Sequence, residues 1–163
     1  MIKTYFKLAL TVMSLSSIIS CGENHTAASA DASKDSVTPV KGTYAYDVAF
    51  LKKHTQQTLE LSSGNGGGKI LLSADYQGRV MTSTATGDSG TSYGWINYDL
   101  ISSGKKKAAF NPVGGEERFW LGPEGGQYSL YFKGGDSFNI ANWQVPAVID
   151  TLPYDIVKSG DNQ

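Results

Sequence analysis

The chain has 163 residues, with 14 lysines and arginines against 15 aspartates and glutamates, and a formal net charge of −1. This balance excludes the broadly basic face that nucleic-acid binding needs, so no nucleic-acid partner is expected. A single cysteine excludes an intrachain disulfide, and no Cys/His cluster or acidic loop has metal-site spacing, so neither a metal nor another cofactor is expected.

Residues 1–20 have the composition of an export signal. Lys3 and Lys7 accompany a short apolar stretch, and the segment contains no acidic residue. The stretch is too short and too interrupted to span a membrane, which is typical of a signal peptide. Its end, Ile-Ile-Ser-Cys at 18–21, resembles the lipobox of bacterial lipoproteins, in which the cysteine is acylated and becomes the new N-terminus. The sequence therefore predicts a lipoprotein signal peptide over residues 1–20 and lipidation at Cys21.

Lipidation of Cys21 also accounts for a lone cysteine in an exported chain. Two or more acyl chains on this residue anchor a protein stably without a spanning helix. The expected location is therefore the bacterial cell envelope, on the periplasmic or outer-membrane face, with the membrane as one partner. Residues 21–40 are small and polar, which predicts a flexible tether. Cleavage of residues 1–20 removes two lysines and no acid, so the mature net charge is about −3.

The remaining sequence predicts a β-rich domain over residues 41–157 and a polar tail over residues 158–163. Asp47 is positioned to cap a short helix whose apolar residues share one face. Beyond this helix the apolar pattern has period two and is rich in β-branched residues, which indicates strands. The predicted strands cover residues 58–61, 69–72, 79–84, 93–98 and 127–132, and glycine-rich turns separate nearly all of them. The predicted fold is mainly β, an antiparallel β-sandwich-like domain with a short N-terminal helix.

Residues 114–127, here called the signature segment, concentrate the polar chemistry of the chain. Glycine pairs bracket three carboxylates, a guanidinium and two adjacent aromatic rings. Glycine allows close approach of the backbone to a ligand, the charged groups offer directional hydrogen bonds, and an indole is a flat apolar platform with a polar edge. This combination suits a polyhydroxylated ligand such as a sugar. A tight turn between two strands, held by an ion pair, accounts for the same residues without a ligand.

Three segments together carry a resemblance to a known family. They are Tyr-Gln-Gly-Arg-Val-Met-Thr-Ser at 76–83, Tyr-Gly-Trp-Ile-Asn-Tyr at 93–98, and the signature segment. They resemble uncharacterised lipoproteins from carbohydrate-degrading bacteria, a family similar to galactose mutarotase-like β-supersandwich proteins. The resemblance extends from about residue 42 to residue 157 and implies a carbohydrate-related function. Because supersandwich domains are usually much larger, the chain is expected to be a short or truncated N-terminal part of such a protein.

Catalysis has only weak candidates in this sequence. The histidine acid and late glutamate base of mutarotases have no matching counterparts, so their complete chemistry is not expected here. Glu117 and Glu124, on either side of the signature turn, form the better-placed pair for glycosidase-like chemistry. Adjacent Glu116 and Glu117 point to opposite faces if extended, so at most one enters a given pocket. An ion pair with Arg118 or Arg79, or capping of turn amides, explains the same carboxylates without catalysis.

Ligand binding has more candidates, each with a structural alternative. Trp120 follows Phe119, so one ring is expected in the core and the other on the opposite face. Trp95 and Trp143 are further candidates for a stacking surface, although core burial is the default for a tryptophan. The polar candidates are equally explained as strand-end or turn residues. The predicted ligand-binding set is Arg79, Asn97, Arg118, Trp120, Glu124 and Gln127.

The sequence thus favours a lipid-anchored, exported protein with a mutarotase-like domain that binds a saccharide or glycan without covalent chemistry. One alternative is a carbohydrate epimerase or hydrolase-like enzyme that is incomplete in this chain. Another is a structural lipoprotein whose partner is a second envelope protein.

Overall fold

The computed structural model describes residues 38–160. The predicted signal peptide, Cys21 and nearly all of the tether lie outside the described residues, as do the last three residues of the predicted tail. Helices in the described range are too short or too polar to cross a bilayer.

Helix α1 spans Tyr44–His54 and is capped by Thr43. The Thr43 hydroxyl accepts a hydrogen bond from the backbone N–H of Tyr46 at 3.4 Å, which satisfies a donor that the first turn leaves unpaired. The predicted short N-terminal helix is confirmed, but the prediction that Asp47 caps it is wrong. Asp47 lies one turn further on and is buried, because its carboxylate bonds to hydroxyls of other elements.

Three antiparallel strands form the main sheet, in the order β1-β2-β3. They are β1 (Thr58–Ser62), β2 (Lys69–Ser73) and β3 (Arg79–Thr84). Thr58 pairs with Ser73, and the register of β2 against β3 shifts at Leu71/Leu72. The glycine-rich segment between β1 and β2 closes a hairpin, in which the N–H of Ser63 donates to the carbonyl of Gly68 at 2.8 Å. These three predicted strands are confirmed to within one residue.

A second, two-stranded sheet pairs β4 (Trp95–Ile96) with β5 (Gly114–Gly115). The strand predicted over residues 93–98 is therefore too long. It ends early because Asn97 caps helix α2 (Tyr98–Ser103), accepting a hydrogen bond from the N–H of Leu100 at 3.2 Å. Side-chain capping of this kind competes directly with strand extension.

No strand forms at residues 127–132, contrary to the sequence prediction. This segment is a series of turns, in which the N–H of Ser129 donates to the carbonyl of Gly126 at 3.0 Å. The hydroxyl of Ser129 also accepts from the N–H of Tyr131 at 3.1 Å. Local partners thus take the backbone groups that a sheet would need.

The described residues contain two buried clusters. The first joins α1, the main sheet, β4 and α2, and its members are Tyr44, Leu51, Leu71, Met81, Ile96, Ile101 and Val113. The second lies in the irregular C-terminal part, around Tyr131, Val145 and Ile149. The main sheet is contacted at β3 by helix α1 and by the two short strands β4 and β5. The antiparallel β character of the predicted fold is confirmed, whereas a β-sandwich within residues 38–160 is not.

A buried polar network links α1 to the main sheet and to α2. Asp47 is only 2% exposed and accepts hydrogen bonds from the hydroxyls of Ser92 and Tyr98. Ser92 in turn shares a 2.5 Å hydrogen bond with Thr82 on β3. Since a buried carboxylate is costly without such partners, this network fixes how the helix sits on the sheet.

Because of the Tyr98 hydroxyl, the free energy of unfolding is expected to decrease as the pH rises into the alkaline range. Burial, and next its hydrogen bond to Asp47, raise the pKa of Tyr98 above its ordinary value. The unfolded chain therefore loses this proton at lower pH than the folded chain, so the free energy of unfolding falls above about pH 10. Urea denaturation at a series of pH values should show a steeper loss for the wild type than for Tyr98→Phe. Parallel losses would contradict the assignment.

Candidate functional site

A cleft of about 360 Å³ lies where the start of β3, β4 and the signature segment meet. We call it the signature cleft. Backbone hydrogen bonds between Val80 and Glu117, with N···O distances of 3.0 and 3.4 Å, hold the signature segment against β3. Its lining residues are Arg79, Trp95, Phe110, Pro112, Gly114, Gly115, Glu116, Glu117 and Arg118.

Gly114 and Gly115 make up β5 and pair closely with β4. Both have positive φ, +97° and +105°, which non-glycine residues rarely adopt. A Cβ on Gly114 would lie 2.0 Å from the carbonyl oxygen of Trp95, and one on Gly115 would lie 2.6 Å from Cδ of Arg79. These two glycines thus allow a close approach within the protein itself, to backbone and side chains of β3 and β4; the predicted approach of the signature glycines to a ligand stays a prediction.

Trp95 presents the exposed ring of the cleft. Its side chain is on the solvent side of β4, with 62% of the residue exposed, whereas the next residue, Ile96, is 5% exposed and lies in the core. This alternation follows from the geometry of a strand. An indole that stays exposed at the wall of a cleft offers a flat apolar platform to a ligand.

Arg79 lies at the base of the cleft and is only 5% exposed. One terminal nitrogen, Nη1, donates to the carbonyl of Gly114 at 2.5 Å, while the buried Nε has no hydrogen-bond partner among the described residues. Burial, and next the positive charge of Arg118, lower the pKa of Arg79 to about 10, although Asp150 opposes this shift. The surroundings of Arg79 therefore disfavour the protonated, positively charged form of its guanidinium.

Arg118 reaches the same cleft from the signature segment. Its Nη2 donates to the carbonyl of Ile149, and its guanidinium lies 4.1 Å from the ring centroid of Trp120 and 5.6 Å from that of Phe110. Burial lowers its pKa, while Asp150 acts in the opposite direction. Cation–π contacts of this kind hold a guanidinium in place without neutralising it.

Glu116 and Glu117 both line the cleft. The expectation that only one would enter is wrong, because Glu116 lies in a bend rather than in an extended strand. Glu116 accepts a hydrogen bond from the hydroxyl of Ser83 at 2.7 Å, and Glu117 accepts from the backbone N–H of Arg118 at 3.3 Å. Across residues 38–160, neither carboxylate forms an ion pair with Arg79 or Arg118, so the alternative in which an ion pair explains these two carboxylates is not observed.

Trp120 does not take the platform position that the sequence predicted for it. Its indole stacks on Tyr131, with ring centroids 5.2 Å apart, and also carries the Arg118 guanidinium. Its Nε1–H donates to the carboxylate of Glu124. The ring is thus part of the second cluster, and its neighbour Phe119 is the exposed one, as the expected alternation required.

Three other predicted residues lie outside the signature cleft. Glu124 does not line it, so the structure does not bring Glu124 together with Glu117 as an acid/base pair. Asn97 uses both ends of its amide within the fold, since its Nδ2 also donates to the carbonyl of Pro112 at 2.9 Å. Gln127 lies in an exposed turn. Of the predicted ligand-binding set, Arg79 and Arg118 line the cleft.

Phe110 and Pro112 form a wall of the cleft that the sequence analysis missed. Phe110 packs edge-on against Trp120 and Trp143, with centroid distances of 6.0 and 5.8 Å. The available signal was an aromatic residue and a proline immediately before the signature segment. Trp143 itself stacks on Tyr131 and belongs to the second cluster. In the described part of the chain, no group of three His, Cys, Asp or Glu side chains is placed to hold a metal ion.

The fold and cleft define a small antiparallel β domain with a charged, aromatic-walled depression. Residues 42–163 match the family model described as "Family of unknown function (DUF6786)", so the chain belongs to this family. The predicted membership in an uncharacterised family is therefore confirmed. Comparison with the curated proteins and with the solved structures found no significant match.

Proposed function

We propose that this domain binds a saccharide non-covalently in the signature cleft. The observation that carries the proposal is the exposed ring of Trp95 beside two guanidinium and two carboxylate groups. A sugar ring has apolar faces and a polar edge, so it needs a flat platform and directional donors and acceptors at the same place. The lining of this cleft has both.

Each group has a defined task in this proposal. Trp95 stacks on the sugar, and the two arginines donate hydrogen bonds to it. Glu116 and Glu117 accept from sugar hydroxyls with the capacity that their existing single side-chain hydrogen bonds leave free. The domain is a binding module in this account, because the second carboxylate proposed for catalysis, Glu124, is engaged with Trp120 outside the cleft.

The wider setting of the protein is proposed on sequence alone. The lipobox-like end at Cys21 supports export and anchoring to a membrane of the cell envelope, with residues 21–40 as the tether. The motifs at residues 76–83, 93–98 and 114–127 support a relation to mutarotase-like β-supersandwich proteins. The alternative to saccharide binding is a structural role in which the partner is another envelope protein. The next experiment distinguishes these two functions.

Trp95→Ala is expected to weaken saccharide binding by about fivefold or more, because truncating a central aromatic anchor of a binding site costs more than about 1 kcal/mol. The full chain is first screened on a glycan array, and the strongest ligand is then titrated by calorimetry. The matched control is Tyr128→Ala, which removes an aromatic ring that is 82% exposed but lies outside the cleft. We expect the control to bind as the wild type does. A well-folded chain that binds no saccharide would favour the structural envelope role.

A further inference from the structure

The two arginines of the signature cleft lack the partners that buried arginines usually have. Across residues 38–160, every ion pair involves a lysine, and none involves Arg79 or Arg118. The hydrogen bonds of both guanidinium groups go to backbone carbonyls. A guanidinium has five N–H donors and forms its strongest contacts with carboxylate or phosphate, two bonds at a time. Both groups therefore keep donor capacity for an anion.

The nearby carboxylates do not supply that anion. Asp150 raises the pKa of both arginines through its charge, yet it is itself buried and bonded to Asn111, with a shortest contact of 2.7 Å from Nδ2. Glu116 and Glu117 are exposed and face Ser83 and a backbone N–H. Buried Asp150 lies outside the lining and offsets part of the charge of the two arginines, whereas the two lining carboxylates are exposed and screened by solvent. Two positive charges against one buried negative charge leave the depth of the cleft positive.

An unpaired buried charge costs several kcal/mol, which an incoming anion can offset. The desolvation cost is greater for Arg79 than for Arg118, because Arg79 is 5% exposed and its Nε has no hydrogen-bond partner in the described part of the chain. Arg118 is partly compensated by the rings of Trp120 and Phe110. Arg79 lies on β3 and Arg118 lies in the signature segment. The two guanidinium groups share one cleft because the fold packs this segment against β3.

From this geometry we infer that the ligand of the signature cleft is an acidic saccharide, whose carboxylate binds to Arg79 and Arg118 while its ring stacks on Trp95. This inference rests on the proposed function and specifies its ligand class as a hexuronate. The carboxylate enters the positive depth of the cleft, and the sugar hydroxyls face Glu116 and Glu117 at its exposed edge.

Matched oligosaccharides test the charge requirement directly. The full chain is titrated with oligomers of galacturonate, glucuronate and mannuronate, and with oligomers of the parent hexoses in the same linkages. We expect at least one hexuronate to bind about tenfold tighter than its parent hexose, and this preference to shrink as salt is raised. Equal or tighter binding of the neutral hexoses would overturn the inference and leave the proposed function standing. No binding to any oligomer would overturn both.

Charge variants of opposite sign give a second test. Arg118→Gln is expected to lower hexuronate affinity by about tenfold. Glu117→Gln is expected to raise the ratio of hexuronate to parent-hexose affinity by roughly threefold, because a charge that repels the hexuronate carboxylate is removed from the cleft. Lys107→Gln is the matched control, since it removes one positive charge from an exposed loop outside the cleft. Thermal melts report whether each variant folds. If Arg118→Gln does not, the Glu117→Gln effect on the ratio of hexuronate to parent-hexose affinity decides, because loss of a hydrogen bond to a hydroxyl affects both ligands alike. A fall in that ratio would contradict the inference.

Discussion

Replacement of Gly114 by alanine is expected to lower the free energy of unfolding by about 3–5 kcal/mol. The new Cβ would lie 2.0 Å from the carbonyl oxygen of Trp95, and the backbone at this position has a φ of +97°. Neither strain is relieved by rotating a side chain, because the contact is with backbone of the paired strand. Urea denaturation monitored by circular dichroism measures the loss.

Gly125→Ala is the matched control for this substitution. It lies in the same signature segment, its φ is not in the positive region, and a Cβ there meets no atom within 4 Å. We expect its free energy of unfolding to stay within about 1 kcal/mol of the wild type. If Gly114→Ala were as stable as the control, the close pairing of β4 with β5 would be refuted.

Asp47→Ala is expected to cost about 3 kcal/mol of folding stability. The carboxylate is 2% exposed and accepts hydrogen bonds from Ser92 and Tyr98. Its removal leaves two partly buried hydroxyls without their acceptor and opens space between the helix and the sheet. The midpoint of urea denaturation should fall without a large change in slope.

Asp99→Ala provides the comparison for Asp47→Ala. Asp99 is exposed in the first turn of α2, where its interaction with the helix dipole is worth less than about 1 kcal/mol. Equal losses for the two aspartate variants would show that the buried network contributes nothing specific. We expect the Asp47 variant to lose several times more stability than the Asp99 variant.

The strands of the main sheet were predictable because local signals agree there. Residues 69–73 and 79–84 combine apolar and β-branched side chains, and a glycine-rich hairpin fixes the register of β1 against β2. The segment at 127–132 carries a similar pattern, yet it forms turns. Its Tyr131 is drawn into a stack with Trp120 and Trp143, and that stack is decided by tertiary packing rather than by local preference.

The candidate site was predicted in part for the same reason. Sequence located the signature segment, and Arg79 and Arg118 do line its cleft. Sequence did not show that Trp120 is engaged by Tyr131 and Arg118, since these contacts depend on how the C-terminal turns fold back. Of the three tryptophans, Trp95 is the exposed one, whereas Trp120 and Trp143 are partly buried in the second cluster. Which of several tryptophans remains free is a property of the assembled fold.

The central claim is that a saccharide stacks on Trp95 in the signature cleft. The chain has three tryptophans, so a nitrogen–proton correlation spectrum resolves their indole N–H signals, and Trp95→Phe assigns one of them. Titration of the full chain with matched hexuronate and hexose oligomers should move the Trp95 signal saturably, with half-saturation at lower concentration for the hexuronate. A Trp95 signal that stays fixed at every ligand concentration would contradict the claim.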